Sequence, residues 1–519
     1  MIRAAALTLT CAVLALTAAA CGESGSGGDA DPAKLVPAGA AFYLEAAVQP
    51  QGDRRDDALA AAGKILRTDD PAAKLRELVD KGFADSGEDL TWERDFAPWL
   101  GEDAGVWATN LQADKPSYAV IIATKDAEAA KTALAKFEKT DDTTSTKRSY
   151  KGLDYQLDEE GVADGVMDDF VVVGTEDAFK RTADMRDGGE SLADADRYKN
   201  AVGELDEDRL GHYFFDVKPI VDAALEQDPA AAQQFEQFKS IVPLDKLGPI
   251  TGSFQADGDG MALDTVLTGL PEGPLRDVAQ LWAGGESELL ADLPSSWGAF
   301  VTPKVGESAQ KLFSSFAGAI GSAAVAAQVK QATGLDLQED VFAWVGDVGA
   351  FVRGASEADV DGALVIEATD DAKAANAFGK IVGLIGRQTG TPAAPVQLEG
   401  AESAVAIPAP GGDKKVILAR GKGRVVAAYG EQAAIDALAS DARLGDSDAF
   451  GAAEGILGDD MKPTFLLSLP DVFKLADAMG ATDADFDKAR PYLDALGVVT
   501  SGGKADGDHV QSRIAVTLK

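Results

Sequence analysis

Trp99–Gly105 reads WLGEDAG and Trp344–Ala350 reads WVGDVGA. Each phrase is preceded by apolar residues at the same intervals: Trp92, Phe96, Trp99 and Leu100 in the first, Leu337, Val341, Trp344 and Val345 in the second. Spacing of i, i+4, i+7, i+8 is one stripe of an α-helix, so it predicts a short amphipathic helix leading into each tryptophan. Thr91 and Asp336 stand at matching positions as N-caps, and Asp336 with Glu339 has capping-box spacing. Pro98 interrupts the first stripe, so that helix is expected to end early or kink. An aromatic at helical spacing beside apolar partners is a core pattern, and both Trp99 and Trp344 are expected to be buried.

The likeness extends outward from the two tryptophans. Val36–Val48 (VPAGAAFYLEAAV) is answered by Leu293–Val305 (LPSSWGAFVTPKV), and Tyr118–Phe137 (YAVIIATKDAEAAKTALAKF) by Gly362–Ile381 (GALVIEATDDAKAANAFGKI). The latter pair reads as a strand entering an Asp-capped helix. Its buried face is Ala130, Ala133, Leu134 and Phe137 in one copy, and Ala375, Phe378, Gly379 and Val382 in the other. The series continues through FVVVGTEDAF and RVVAAYGEQA, SLADADRY and RLGDSDAF, and ADGDGMALDTVL and ADGDHVQSRIAV, always in the same order. A collinear series implies an internal duplication of about 230 residues per copy, far longer than a solenoid repeat, so each copy is expected to be a whole domain. Short Gly/Asp turns such as Asp257–Gly260 (DGDG) signal hairpins and antiparallel pairing. The expected fold is α+β: two tandem copies, each an antiparallel sheet with packed helices, at residues 35–270 and 291–519, joined by a linker at 271–290.

A chain of 519 residues is long enough for two domains of ordinary size. It carries 86 acidic against 48 basic residues, a net charge of −38, which repels nucleic acid and argues against a nucleic-acid partner. The charge is dispersed, as on a solvated surface.

Arg3, the uncharged run Ala4–Ala20 and the small residues Ala18, Ala19 and Ala20 before Cys21 read as an export signal over residues 1–20. Small residues ending in cysteine resemble a bacterial lipobox, although Ala18 stands where such motifs usually carry Leu. The resemblance implies that Cys21 becomes the lipidated first residue of the mature protein, holding it on the outer face of the cell membrane through its acyl chains. The other cysteine, Cys11, would leave with the signal, so no disulfide or cysteine chemistry is expected. Gly22–Lys34, rich in Gly, Ser and Asp, completes a flexible tether over 21–34. Leu312–Val329 comes closest to a membrane span, but its Ser, Gly, Gln and Ala content is weakly apolar, and a close-packed helix is expected there.

Reactive chemistry is scarce. His212 and His509 are the two imidazoles, and the position matching His212 in the second copy is Thr464. A Ser-His-Asp triad is hard to assemble from this supply. There is no phosphate loop, zinc motif or dinucleotide glycine pattern. Asp483, Asp485 and Asp487 alternate like the start of a calcium loop, but Lys488 stands where the loop needs Gly and Asp494 where it needs Glu, so a helix start is expected. The pairs Asp194/Asp196 and Asp446/Asp448 precede helical patterns and read as caps. No catalytic residue, metal ligand or cofactor is assigned.

The lipobox-like start, Gly39–Asp53 (GAAFYLEAAVQPQGD), Leu90–Val106 (LTWERDFAPWLGEDAGV) and Tyr150–Tyr155 (YKGLDY) together resemble an exported bacterial family known only as a domain of unknown function, DUF3352. The resemblance implies a surface protein and offers no catalytic residues to transfer. The function expected is a non-catalytic envelope lipoprotein that binds an envelope protein or supports envelope structure. The alternatives are a carrier of an apolar ligand between the two copies, and a hydrolase using acidic residues.

Overall fold

The computed structural model describes residues 30–110, 117–140, 144–227, 243, 246–285, 287–315, 322–389, 393–408 and 414–519. The expected signal segment, Cys21 and most of the tether lie outside them. The chain divides into two compact units at Gly269/Leu270.

The first unit contains ten strands among the described residues: β1 (Phe42–Ala47), β2 (Leu100–Asn110), β3 (Ser117–Thr124), β4 (Ser145–Tyr150), β5 (Leu153–Asp158), β6 (Val162–Met167), β7 (Phe170–Thr175), β8 (Gly211–Phe215), β9 (Ile250–Ala256) and β10 (Gly260–Leu267). Their order is β4-β5-β6-β7-β3-β2-β1-β8-β9-β10, antiparallel throughout. The second unit contains β11 (Gly298–Thr302), β12 (Val345–Arg353), β13 (Asp361–Ala368), β14 (Ala394–Pro395), β15 (Ser403–Pro408), β16 (Lys415–Gly421), β17 (Arg424–Tyr429), β18 (Pro463–Ser468), β19 (Leu496–Asp506) and β20 (His509–Leu518). They run β14-β15-β16-β17-β13-β12-β11-β18-β19-β20, again antiparallel. The two orders are the same, element for element. Both units are α+β.

Turn chemistry closes the hairpins. Between β9 and β10 the Asp257 carboxylate accepts from the amides of Asp259 and Gly260 at 2.7 and 2.9 Å. Lys151–Gly152 and Lys422–Gly423 each have two successive positive φ angles, as a two-residue hairpin turn that follows the strand twist requires.

Alternation along each strand feeds both faces of a sheet. In β7, Val172 joins a core with Tyr43, Trp107, Ile121 and the helix Glu176–Arg186. Val171 and Val173 point the other way, toward Trp92, Phe96, Trp99 and the helix Ala127–Thr140. In β17, Val426 and Ala428 pack against the helix Glu431–Leu438, and Val425 against Trp344 and the helix Asp371–Thr389.

Several details depart from expectation. The tryptophan stripe is not one helix: a five-residue π-type turn, Trp92–Phe96, and a six-residue one, Leu337–Phe342, are each followed by a turn holding the tryptophan, after which Leu100 and Val345 start strands. On the helix Asp371–Thr389, Phe378 is buried and Val382 packs beside it as expected, but Ala374 and Ala377 take the places expected of Ala375 and Gly379, which are half-buried and exposed. Residues 271–290 belong to the second unit, with a helix at Pro274–Trp282 and with Leu289 and Leu290 buried in its core, rather than to an open link. The helix Ser322–Thr333, which overlaps the stretch Leu312–Val329 expected to be close-packed, exposes Ala324, Val325, Ala327 and Gln328. Its apolar residues are small and spread around the axis, so no single face demands burial. Among the described residues no helix is long and apolar enough to cross a membrane.

Candidate functional site

The repeated tryptophans anchor the same clasp in both units. Trp99 Nε1 donates to the Asp95 carbonyl at 2.7 Å, and Trp344 Nε1 to that of Asp340 at 2.8 Å. Asp95 and Asp340 are 4% and 3% exposed. They reach back to the turn's first amide: Thr91 N to Asp95 Oδ2 is 2.8 Å, and Asp336 N to Asp340 Oδ2 is 2.9 Å. This is a capping box stretched to i+4 by the wider turn, so Asp340 takes the role expected of Glu339. Asp336 caps with its own carboxylate, at Gln338 N and Glu339 N, whereas the Thr91 side chain makes no capping bond. Lys136 meets Asp95, and Lys380 Nζ meets Asp340 at 2.6 and 2.8 Å. Burial alone would raise both carboxyls; hydrogen bonds from Arg94 and Lys136 at Asp95, and from Lys380 at Asp340, hold them below the usual range.

The first unit adds a polar row. Strand register aligns Glu45 (β1), His212 (β8), Ser253 (β9) and Asp264 (β10) side by side on one face. Tyr43, two residues before Glu45 on the same face, leans over Gly105, where a Cβ would stand 2.8 Å from its ring, and donates its hydroxyl to Glu45 Oε2. Tyr198, from the helix Asp196–Val202, sits 2.7 Å from His212 Nε2. The rings of Tyr43, Tyr198 and His212 lie 5.8–5.9 Å apart, centroid to centroid. His212 Nδ1 is 3.9 Å from Glu45 Oε1.

Burial decides the electrostatics here. It pushes Glu45 up to about 7, aided by the charges of Asp103 and Asp31 and opposed by the Tyr43 hydrogen bond and Arg209. It pushes Asp103 up to about 6, opposed by Arg54, and His212 down to about 3, so that the imidazole is neutral. Serine, histidine and a carboxylate in one row invite comparison with a nucleophilic triad, but the geometry falls short. His212 Nε2, the atom that would take a serine proton, is engaged by Tyr198. Ser253 is 1% exposed, and its hydroxyl has no hydrogen-bond partner among the described residues. Sequence reasoning singled out His212 but not its neighbours, which only the register of β1, β8, β9 and β10 brings together.

The other expected residues are dispersed. Asp483 caps the helix Ala484–Leu493. The N-caps of the helices Asp196–Val202 and Asp448–Leu457 are Ala195 and Ser447, and the aspartates expected as caps lie on either side of them. His509 opens β20 opposite Asp506.

A family model matches residues 1–405, most of the chain. The chain belongs to the family described as "Protein of unknown function (DUF3352)". No curated protein matches this DUF3352 member. Among solved structures it is similar to three titled as crystal forms IV, III and I of TP0453, at 14%, 13% and 12% identity. Each covers 46% of this chain and 79–80% of the other, with TM-scores of 0.24, 0.24 and 0.25. Likeness at that level decides neither fold nor function.

Proposed function

We propose that this DUF3352 protein is an exported, non-catalytic lipoprotein, anchored by Cys21 to the outer face of the cell membrane, whose two duplicated units bind an envelope partner or support the envelope. The duplication is supported by the shared strand order and by residue-level correspondence: Ala123 pairs with Phe170 across β3 and β7, as Glu367 pairs with Arg424 across β13 and β17. Export and anchoring rest on Arg3, the apolar run Ala4–Ala20 and Cys21. The observation that carries the non-catalytic reading is the closed row in the first unit, where neutral His212 is held by Tyr198 and Ser253 is sealed from solvent.

One feature favours a second reading, an apolar ligand. Phe300, Val352, Leu364 and Tyr429 are 44%, 38%, 39% and 41% exposed and lie in two adjoining rows on one face of β11, β12, β13 and β17. Exposed apolar clusters of this kind mark binding surfaces.

Cys21→Ser tests the anchor. The variant is expected to leave the membrane fraction, or to accumulate as an unprocessed precursor, with loss of the lipid mass increment. Unchanged membrane association and no lipid mass on the parent protein would reject it.

A further inference from the structure

The second unit carries a depression of about 430 Å³ whose wall is half charged, with Asp292, Glu367, Lys422, Arg424 and Arg443 beside the polar Ser440. Its volume falls in the range of small-molecule sites, while its lining is wrong for an apolar ligand. The Arg424 side chain, 13% exposed, is fixed by the Ala437 carbonyl at 3.2 Å and stands 3.5 Å from Asp292 Oδ2 and 3.6 Å from Glu367 Oε1. Asp292 uses its other oxygen on Arg443 Nη1 at 2.8 Å. Lys422, on the tight turn between β16 and β17, has no hydrogen-bond or ion-pair partner among the described residues.

Three cations thus face two carboxylates in a chain whose net charge is −38. Both oxygens of Asp292 are occupied, whereas the Lys422 ammonium and the remaining N–H groups of Arg443 are available as donors. The helix Glu431–Leu438 ends in the same wall, at Leu438 and Ala439, and carbonyls of a helix's last turn lack partners within the helix. Spare cationic donors call for an oxyanion, and spare carbonyl and carboxylate acceptors call for hydroxyl groups beside it. We propose that this depression binds a small hydroxylated monocarboxylate of the sugar-acid type, its carboxylate on Lys422 and Arg443 and its hydroxyls toward Glu367 and the helix end. The matching positions of the first unit, Phe170 for Arg424, Ala123 for Glu367, Asp168 for Lys422 and Ser191 for Arg443, lack this charge set, so the site belongs to the second unit alone. It goes beyond the anchoring proposal and does not depend on Cys21.

Titration calorimetry of the full-length protein with D-gluconate, with D-glucose as the neutral control, tests the site. Gluconate is expected to bind, and glucose about tenfold more weakly or not at all. Arg443→Gln combined with Lys422→Gln changes exposed side chains, so the melting temperature should hold while gluconate affinity drops at least about tenfold. Glu367→Gln should act in the opposite direction, because it removes a negative charge from the wall while keeping a hydrogen-bonding group for Arg424. No gluconate binding at millimolar concentration, equal binding of glucose, or affinity unchanged in the double variant would each overturn the proposal. These outcomes are independent of whether the protein fractionates with membranes.

Discussion

The two units share a scaffold and exchange their polar interiors. Hydrogen bonds across the strands pair Ala41 O with Asp216 N in the first unit and Trp297 O with Ser468 N in the second, which places Tyr43 level with Ala299 and Glu45 level with Val301. Aligning Val36 with Leu293 residue by residue would instead set Tyr43 against Phe300; the opening turn of the first unit is one residue longer. Continuing along the row, Tyr198, His212, Ser253 and Asp264 of the first unit correspond in position to Phe450, Thr464, Gly502 and Arg513 of the second. The polar cluster of one unit is thus largely apolar in the other, and the charged depression of the second has Phe170 and Ala123 in the first. What stays common is the clasp of tryptophan, aspartate and lysine. A buried ionic group is common to both units where it closes the scaffold, and differs where it does not.

The sharpest way to break this comparison is to cut the clasp. Trp99→Ala and Trp344→Ala each remove a buried indole, 4% and 2% exposed, and are expected to cost about 3–5 kcal/mol through lost contacts and a cavity. Urea unfolding monitored by circular dichroism should show similar losses in the two variants. A cost near zero in one unit would mean that its tryptophan does not hold the scaffold as its counterpart does.

Burial of those tryptophans and the hairpins was legible in the sequence because both depend on local periods and turn residues. The wider turn was not: spacing of i, i+4, i+7, i+8 fits an α-helix as well as a π-type turn running into a strand. A trace of the clasp was nevertheless present, since Asp95 and Asp340 each stand four residues before their tryptophan. Their lysines, Lys136 and Lys380, are about forty residues further on, and no short-range rule joins them. The Glu45–His212–Ser253 row was the least legible, because it depends on the register of strands far apart in the chain, and register is set by tertiary packing.

Glu45 offers a test of the first unit's distinct interior. Its carboxyl is raised from 4.5 to about 7, so the folded protein holds a proton there that the unfolded chain releases. The stability tied to that proton is fully present below about pH 4.5 and is lost as pH rises through 7. Glu45→Gln, which keeps the acceptor for Tyr43 and abolishes the charge, should stabilise the protein by about 2–3 kcal/mol at pH 8 and change little at pH 4.5. Val301, the level position in the second unit, cannot titrate, so Val301→Ala should give a pH-independent loss. Thermal unfolding across that range checks both; a Glu45→Gln effect that does not grow with pH would show that Glu45 is already solvated.

The smallest effect comes from exchanging the hydroxyl that distinguishes Tyr198 from Phe450. Tyr198→Phe removes the partner of His212 Nε2, now 2.7 Å away, and leaves a buried ring nitrogen unsatisfied, which should cost about 1–2 kcal/mol. In the second unit Phe450 is 7% exposed, and Thr464, at the position matching His212, already donates its hydroxyl to the Ser501 carbonyl at 3.1 Å. Phe450→Tyr therefore buries a hydroxyl with no imidazole to receive it and should also destabilise, by about 1 kcal/mol. Adding Thr464→His to Phe450→Tyr should recover part of that loss if the two interiors differ only in side chains and not in backbone. A double-mutant cycle in denaturant reads the coupling directly. Zero coupling would mean that the backbones of the two units differ around this row, and that the polar cluster cannot be transplanted by its side chains alone.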